Sequence, residues 1–409
     1  MLPEEFLRAK FRDYYLKHEV AQPPAPEQRE FGFGTFGRKI ADRHLEFASH
    51  ESVNKFLRAE VPFYLSYSAA YYKFPSRKPM QAKEYLGGDL VYEFDADDLK
   101  TECKVRHDTW ACKCGASGRG NPERCTECGE GVSVRQWVCP ECLYEVKLQV
   151  FELLKFLQDD FGFTEGISVN FSGHKGYHVH VRSEAVRALS PRARIELVDY
   201  ITGHELDLRA LGFYSDGKRM FCPPPAEAAG WGEKLLNGLE ALFDRADADE
   251  IATAGGIPSG TLAKSLASEG KGIIAEMRNG ILRQLPRVSA KKTESFWNHA
   301  LSHLAEKLRL DIDRQTSVDV AKIVRVPETI HGGTGLVAKS VEIGALRDFL
   351  PLEDTLAFGS APVKVITNSV PKFSIGGAEF GPLEQGVHEL PEFAAIYLLA
   401  RGDATGPGK

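Results

Sequence analysis

Val91-Tyr92-Glu93-Phe94-Asp95-Ala96-Asp97 decides how this chain is read. Residues two apart on a β-strand leave from the same face. On a strand over Asp89–Asp97, Asp95 and Asp97 therefore project together, with Glu93 as a supporting residue, while Phe94 and Ala96 face a core. Two carboxylates side by side repel unless a proton or cation intervenes. Hard divalent cations such as Mg²⁺ take carboxylate oxygens and water, leaving positions for substrate phosphates. Nucleotidyl transfer uses two such ions ~3.5–4 Å apart to stabilise the attacking and leaving oxygens. Taken alone, Asp-x-Asp at a strand end is more often a solvated loop or a helix cap. Here it runs into a cluster holding seven of the eight cysteines, Cys103–Cys142. A metal knuckle grafted onto a carboxylate strand points to an enzyme that handles nucleotides with bound cations.

The chain has 409 residues, enough for two or three structural units. Its 43% hydrophobic and 26% charged content is ordinary for a globular protein. No apolar run approaches the ~20 residues of a membrane helix. The opening Met1-Leu2-Pro3-Glu4-Glu5-Phe6-Leu7-Arg8 lacks the basic-then-apolar pattern of a secretory leader. Cys-x-x-Cys pairs without such a leader favour metal binding in a reducing compartment over disulfides, and the cytoplasm is the expected location. A net charge of −6 does not advertise nucleic-acid binding, which depends on local basic surface. The basic stretches are Arg182–Arg194, Arg278–Lys292 and the segment around Arg314, Lys322 and Arg325; each is readily explained as solvated charge.

The periodicity predicts a helix over Glu5–Lys17, a Pro-rich joint at Gln22–Pro26 and an amphipathic helix over Val146–Phe161. Strands at Ile167–Phe171 and Tyr177–Arg182 are joined by Ser172-Gly173-His174-Lys175-Gly176. On the second strand His178, His180 and Arg182 share a face. The expected division is a catalytic core of residues 1–102, 146–190 and 306–400, a zinc-binding insertion at 103–145, a helical subdomain at 191–305 and a disordered tail at 401–409. Asp247-x-Asp249 sits in a helical setting where i and i+2 diverge, and is set aside. Cys222, isolated before prolines, reads as a buried thiol.

Together these motifs resemble the catalytic small subunit of archaeal and eukaryotic-type DNA primase, in its archaeal form. Arg29-Glu30-Phe31-Gly32-Phe33, Phe94-Asp95-Ala96-Asp97, Ser172 through His178, and Asp313 through Arg325-Val326-Pro327-Glu328-Thr329-Ile330-His331-Gly332-Gly333-Thr334-Gly335 carry the likeness, with Val387 through Ala395 as a closing segment. The resemblance implies an α/β (α+β) fold whose core holds an RNA-recognition-motif-like sheet. It makes Asp95, Asp97 and Asp313 the ligands of two Mg²⁺ or Mn²⁺ ions, with Asp311 and Asp319 as alternatives to Asp313. By motif position, Ser172, His174, Lys175, His178, Arg325, His331 and Arg29 contact the incoming nucleotide. Some relatives carry arginines where this chain has His174 and Lys175. His180 is the structural one of the two strand histidines.

The same family carries a zinc knuckle beside its active site, ending in a pair like Cys139-Pro140-Glu141-Cys142. With Cys103 and His107 this completes one zinc set. Cys112, Cys114, Cys125 and Cys128 then form a second Cys₄ set; a single zinc with spare thiols stays open. Four protein ligands leave no site for water, so either zinc is structural.

The resemblance implies short RNA, and also DNA, primers made from nucleoside triphosphates on a single-stranded DNA template during replication, with a primase large subunit and the replication machinery as partners and no membrane. The alternatives are a stand-alone primase-polymerase acting in repair and a non-catalytic zinc-ribbon adaptor, which would not need its aspartates to converge.

Overall fold

The computed structural model describes residues 2–312 and 317–407. Two compact units are distinguished: Met1–Phe151 with Thr164–Ile195 and Asp311–Lys409, and Glu152–Phe163 with Glu196–Leu310. The fold is mixed α/β with antiparallel sheets, the class expected from the sequence.

The first unit is organised by eight strands: β1 (Phe31–Thr35), β2 (Arg38–Leu45), β3 (Tyr64–Ser68), β4 (Leu90–Asp95), β5 (Ile167–Phe171), β6 (Gly176–Val181), β7 (Ile323–Arg325) and β8 (Lys339–Val341). They form two four-stranded antiparallel sheets, in the orders β7-β3-β1-β2 and β8-β5-β6-β4. Register across the second sheet follows from its alternation. Phe94, Tyr177 and Phe171 are paired neighbours on one face, all buried. On the other face Glu93 pairs with His178, His178 with Asn170, and Asn170 with Ser340. One face is thus aromatic core, and the other is a row of polar groups that needs partners.

The β5–β6 turn is tight for a visible reason. Gly173 has φ +76°, a backbone state that side chains rarely tolerate. At Gly176 a β-carbon would collide with the Phe94 carbonyl and the Asp95 carboxylate, so only glycine lets β6 lie against the end of β4.

The sequence expectation differs from the structure at two points here. The helix expected over Val146–Phe161 runs from Pro140 to Lys155, followed by a π-helical turn at Phe156–Asp160. Proline is tolerated in a first turn because its missing N–H would be unpaired there anyway, and the Cys139 sulfur accepts from the Cys142 N–H at 3.4 Å. Nor are residues 401–407 a tail. Arg401 ends the helix Glu392–Arg401, and Ala404–Pro407 pairs antiparallel with the strand Pro362–Thr367. Gly and charge made this segment look loose, but pairing partners distant in sequence leave no local signal.

The second unit is helical, with Trp231–Arg245, Ala248–Gly255, Thr261–Ser268, Gly270–Met277 and Ala290–Leu308 around a small three-stranded sheet. Its core holds Trp231, Leu235, Leu239, Phe243 and Trp297, all at most 1% exposed. Asp247 is the N-cap of its helix, accepting from Asp249 N at 2.8 Å. Cys222 is buried and donates to the Met277 carbonyl. Among the described residues no helix is long and apolar enough to cross a membrane.

Candidate active site

A cleft of about 250 Å³ opens between the two sheets of the first unit. β2 lends Lys39 and Ile40, β3 lends Ser66, and β7 lends Ile323, Val324 and Arg325. Opposite them stand Glu93 and Asp95 of β4, His178 of β6, the turn residues Ser172, His174 and Lys175, and His331.

Asp95 is the last residue of β4, and Asp97 lies one turn further, where the Asp98 N–H donates to the Asp95 carbonyl at 3.1 Å. The pair therefore does not share a strand face as alternation predicted. It converges through the turn instead, helped by the Ala96 N–H donating to the Lys175 carbonyl at 3.0 Å. Both carboxylates meet the Lys175 ammonium, which lies 3.6 Å from Asp95 Oδ2 and in direct contact with Asp97 Oδ2. Burial raises the Asp95 pKa above the ordinary carboxylate range, against the pull of Lys175 and His178, and Glu93 and Asp97 push it the same way. Asp313 lies outside the described residues. Its alternatives are exposed: Asp319 accepts from the Ala321 N–H in a local turn, and the Asp311 N–H bonds Gln149.

The turn and its surroundings are arranged as donors. Ser172 Oγ accepts from the backbone N–H of His174 and of Gly176, each at 3.3 Å, which fixes the hydroxyl. His174 and His331 stack with ring centres 4.8 Å apart and planes at 10°. Burial, then neighbouring Lys175 and other cations, lowers His174 to about 3, and burial with His174 and Arg325 lowers His331 well below its usual value. Both rings are neutral near pH 7. The Gly333 N–H donates to His331 Nδ1 at 3.3 Å, which assigns the ring proton to Nε2. His178 bonds Glu93 at 3.3 Å, and Lys322 holds the other Glu93 oxygen at 2.7 Å.

Arg325 lies over the Tyr64 ring at 4.8 Å and makes one long bond, 3.4 Å, to the Leu65 carbonyl. Its Nε has no hydrogen-bond partner, and no carboxylate pairs with it among the described residues. Burial lowers its pKa to about 10, which still leaves it charged. A half-buried guanidinium without a counter-ion is poised for an anion.

Arg29 is the correction. It is 0% exposed and absent from the cleft lining. Its guanidinium is committed to the carbonyls of Pro24, Ser68 and Ala69 and to Asp89 at 3.0 Å, and it stacks on Tyr71 at 3.4 Å. Motif position suggested a nucleotide contact, but its donors are spent on the core.

The structure brings the cysteines into two groups whose ligand atoms lie within 4.8 Å of one another: Cys103, His107, Cys139 and Cys142, and separately Cys112, Cys114, Cys125 and Cys128. All are free thiols. The Sγ separations of 3.3 Å (Cys103–Cys142), 3.7 Å (Cys139–Cys142), 3.5 Å (Cys112–Cys128) and 3.7 Å (Cys114–Cys125) approach the ~3.8 Å edge of a tetrahedron with Zn–S bonds of ~2.3 Å. His107 Nε2 faces Cys142 Sγ at 3.2 Å while Nδ1 bonds Asp108 at 2.8 Å, the outer-shell carboxylate common for a metal-binding histidine. The donor sets fit zinc.

Sequence reasoning missed Lys39, Ser66 and Tyr64 around the cleft, and Gln136, whose side-chain amide meets Asp97. An amide oxygen would repel those carboxylate oxygens, so the nitrogen faces them, donating at 2.8 and 3.2 Å. None of the four belongs to a chemical motif, and no local signal marks them.

The chain matches the family model described as DNA primase small subunit over residues 135–343. It is 34% identical to the DNA primase small subunit PriS of Methanothrix thermoacetophila, covering 98% of both chains. The same-named proteins of Methanosarcina acetivorans and Halobacterium salinarum are 26% and 28% identical, over 98% of this chain and 96% and 97% of theirs. Nearly full-length coverage in both directions at such identity leaves one conclusion, that this chain belongs to the DNA primase small-subunit family.

Proposed function

We propose that this protein is the catalytic subunit of a DNA primase, joining nucleoside triphosphates into short primers on single-stranded DNA for replication. One observation carries the reading: Asp95 lines one wall of a cleft beside Lys175 and two neutral imidazoles, Asp97 joins it on the Lys175 ammonium, and Arg325 faces them from the opposite wall. Paired carboxylates and anion donors gathered around one cleft suit a metal-bound triphosphate.

Asp95 and Asp97, with Asp313, would hold Mg²⁺ or Mn²⁺, which when bound neutralises triphosphate charge and lowers the pKa of the attacking 3′-hydroxyl. Arg325, free of a carboxylate, takes phosphate oxygens, and His331 Nε2–H donates to another. Ser172 presents its hydroxyl at the turn. Lys175, paired with the aspartates, is placed to share its ammonium with the triphosphate. Glu93 orients His178 and is itself held by Lys322. The two cysteine sets hold structural zinc, and metal analysis of the purified chain should return two ions; a zinc-free protein would remove that part. A large subunit completes the enzyme.

The test is Asp95→Asn in a primer-synthesis assay on single-stranded template with Mg²⁺ or Mn²⁺. The isostere keeps shape and removes charge. Near-normal turnover with an unchanged melting temperature would sink the assignment.

A further inference from the structure

We infer that Gln136 is a positioning residue for Asp97, and that the cysteine module and the C-terminal segment act on the active site through it. The inference rests on the catalytic reading of Asp97 given above.

Gln136 is half-buried, with its amide nitrogen 2.8 Å from Asp97 Oδ2 and 3.2 Å from Oδ1. Asp97 stands beyond the end of β4, so no sheet ladder fixes it. A donor bridging both oxygens restricts rotation of the carboxylate, and a neutral donor does so without cancelling the charge that a metal needs. Lys175 also touches Asp97 but brings a positive charge into competition with any cation. The two contacts therefore have different consequences: Lys175 neutralises, whereas Gln136 orients.

The backbone carrying Gln136 is gripped from two sides. On one, the Trp137 N–H donates to Asp108 Oδ1 at 2.9 Å, the same oxygen that bonds His107 Nδ1 at 2.8 Å. His107 is one of the four gathered donors, so its group is one residue removed from the Gln136 backbone. On the other, Arg401 Nη2 donates to the Gln136 carbonyl at 3.1 Å and its guanidinium lies 4.0 Å over the Trp137 ring. Arg401 is in turn bonded at 2.9 Å to Asp403, which is 0% exposed and also ion-pairs with Arg135. Residues 135–137 thus sit between two clamps, and it is the Gln136 side chain that reaches Asp97 from them. The donor cluster and residues 401–403 together hold that one amide in place.

The experiment uses the full chain with its zinc. Gln136→Leu conserves volume at a half-buried position and removes the donor; Arg401→Met loosens one clamp and leaves the amide. Mn²⁺ binding is measured without nucleotide by electron paramagnetic resonance, beside kcat and KM for nucleoside triphosphate, zinc content and Tm. Gln136→Leu is expected to weaken Mn²⁺ binding and lower kcat by roughly tenfold each, the scale of a hydrogen bond to a charged group. KM for nucleotide stays within about twofold, and zinc content and Tm stay at the parent values. Arg401→Met shifts Mn²⁺ binding in the same direction by a smaller factor. Two results overturn the inference alone: parental Mn²⁺ affinity in Gln136→Leu, or losses in affinity that follow Tm through both variants, which would make the contact merely structural. A parent chain that binds no Mn²⁺ overturns the catalytic reading along with it.

Discussion

Two arginines stacked on tyrosine, Arg29 fully buried and Arg325 half-buried, divide the core of the first unit into two kinds of region. Around Arg29 the charge is closed: Asp89 pairs with Arg29 at 3.0 Å and with Arg182 at 3.2 Å, Arg182 also donates to Tyr67 and Ser168, and three backbone carbonyls accept from Arg29. Around Arg325 the charge is open, with one long bond and no counter-ion among the described residues. A closed network rigidifies a fold, while an open one costs stability that is recovered when an anion arrives. Burial of a cation does not by itself distinguish scaffold from site; the use of its donors does.

The largest effect tests the open region at its acidic edge. Asp95→Asn should cost roughly 10³-fold or more in primer synthesis with the fold intact, since the charge binding metal is lost. Next comes the direct contrast. Arg29→Met should destabilise by about 3 kcal/mol, because a buried carboxylate loses a partner, and the folded fraction should keep its KM for nucleotide. Arg325→Met should leave the denaturation midpoint unchanged or higher and raise that KM by about tenfold. If the two variants exchanged phenotypes in urea titration and steady-state kinetics, the distinction between closed and open charge would be broken.

The smallest effect concerns acid. His180 is 0% exposed, and neither ring nitrogen has a hydrogen-bond partner among the described residues. Burial, then Arg182 and His178, drives its pKa well below 6.5, and His174, His178 and His331 are lowered too. Below pH ~6.5 the unfolded chain takes up protons that the folded chain refuses. Stability is therefore retained above that pH and lost as pH falls toward the depressed folded values. His180→Phe should recover up to about 2 kcal/mol of the loss between pH 7 and pH 5. An identical acid profile in urea titrations would remove His180 from the cause.

What could be read along the chain was whatever depends on near neighbours. Asp95 beside Phe94, the Ser172–Gly176 turn and the Cys-x-x-Cys pairs announce themselves because alternation, glycine backbone freedom and ligand spacing act over a few residues. Arg29 misled because a motif fixes position and says nothing of which carbonyls surround it. Residues 401–407 misled because a strand's partners, here Val365–Thr367, lie far off in sequence. Gln136 was silent for the same reason, since an amide near a zinc-type cysteine pair has no preferred reading until Asp97 comes within 2.8 Å.

The sequence by itself determined the fold class, the family likeness and the identity of the chemical groups: acidic pair, anion-binding turn, thiols. Only the tertiary structure decided which cations are free and which are spent, that Asp95 and Asp97 meet through a turn past the strand end, and that the two cysteine groups are separate. Local preference is written in adjacent residues, whereas the partner of a charge is set by packing between segments tens to hundreds of residues apart, and it is that partner which fixes the work a side chain can do.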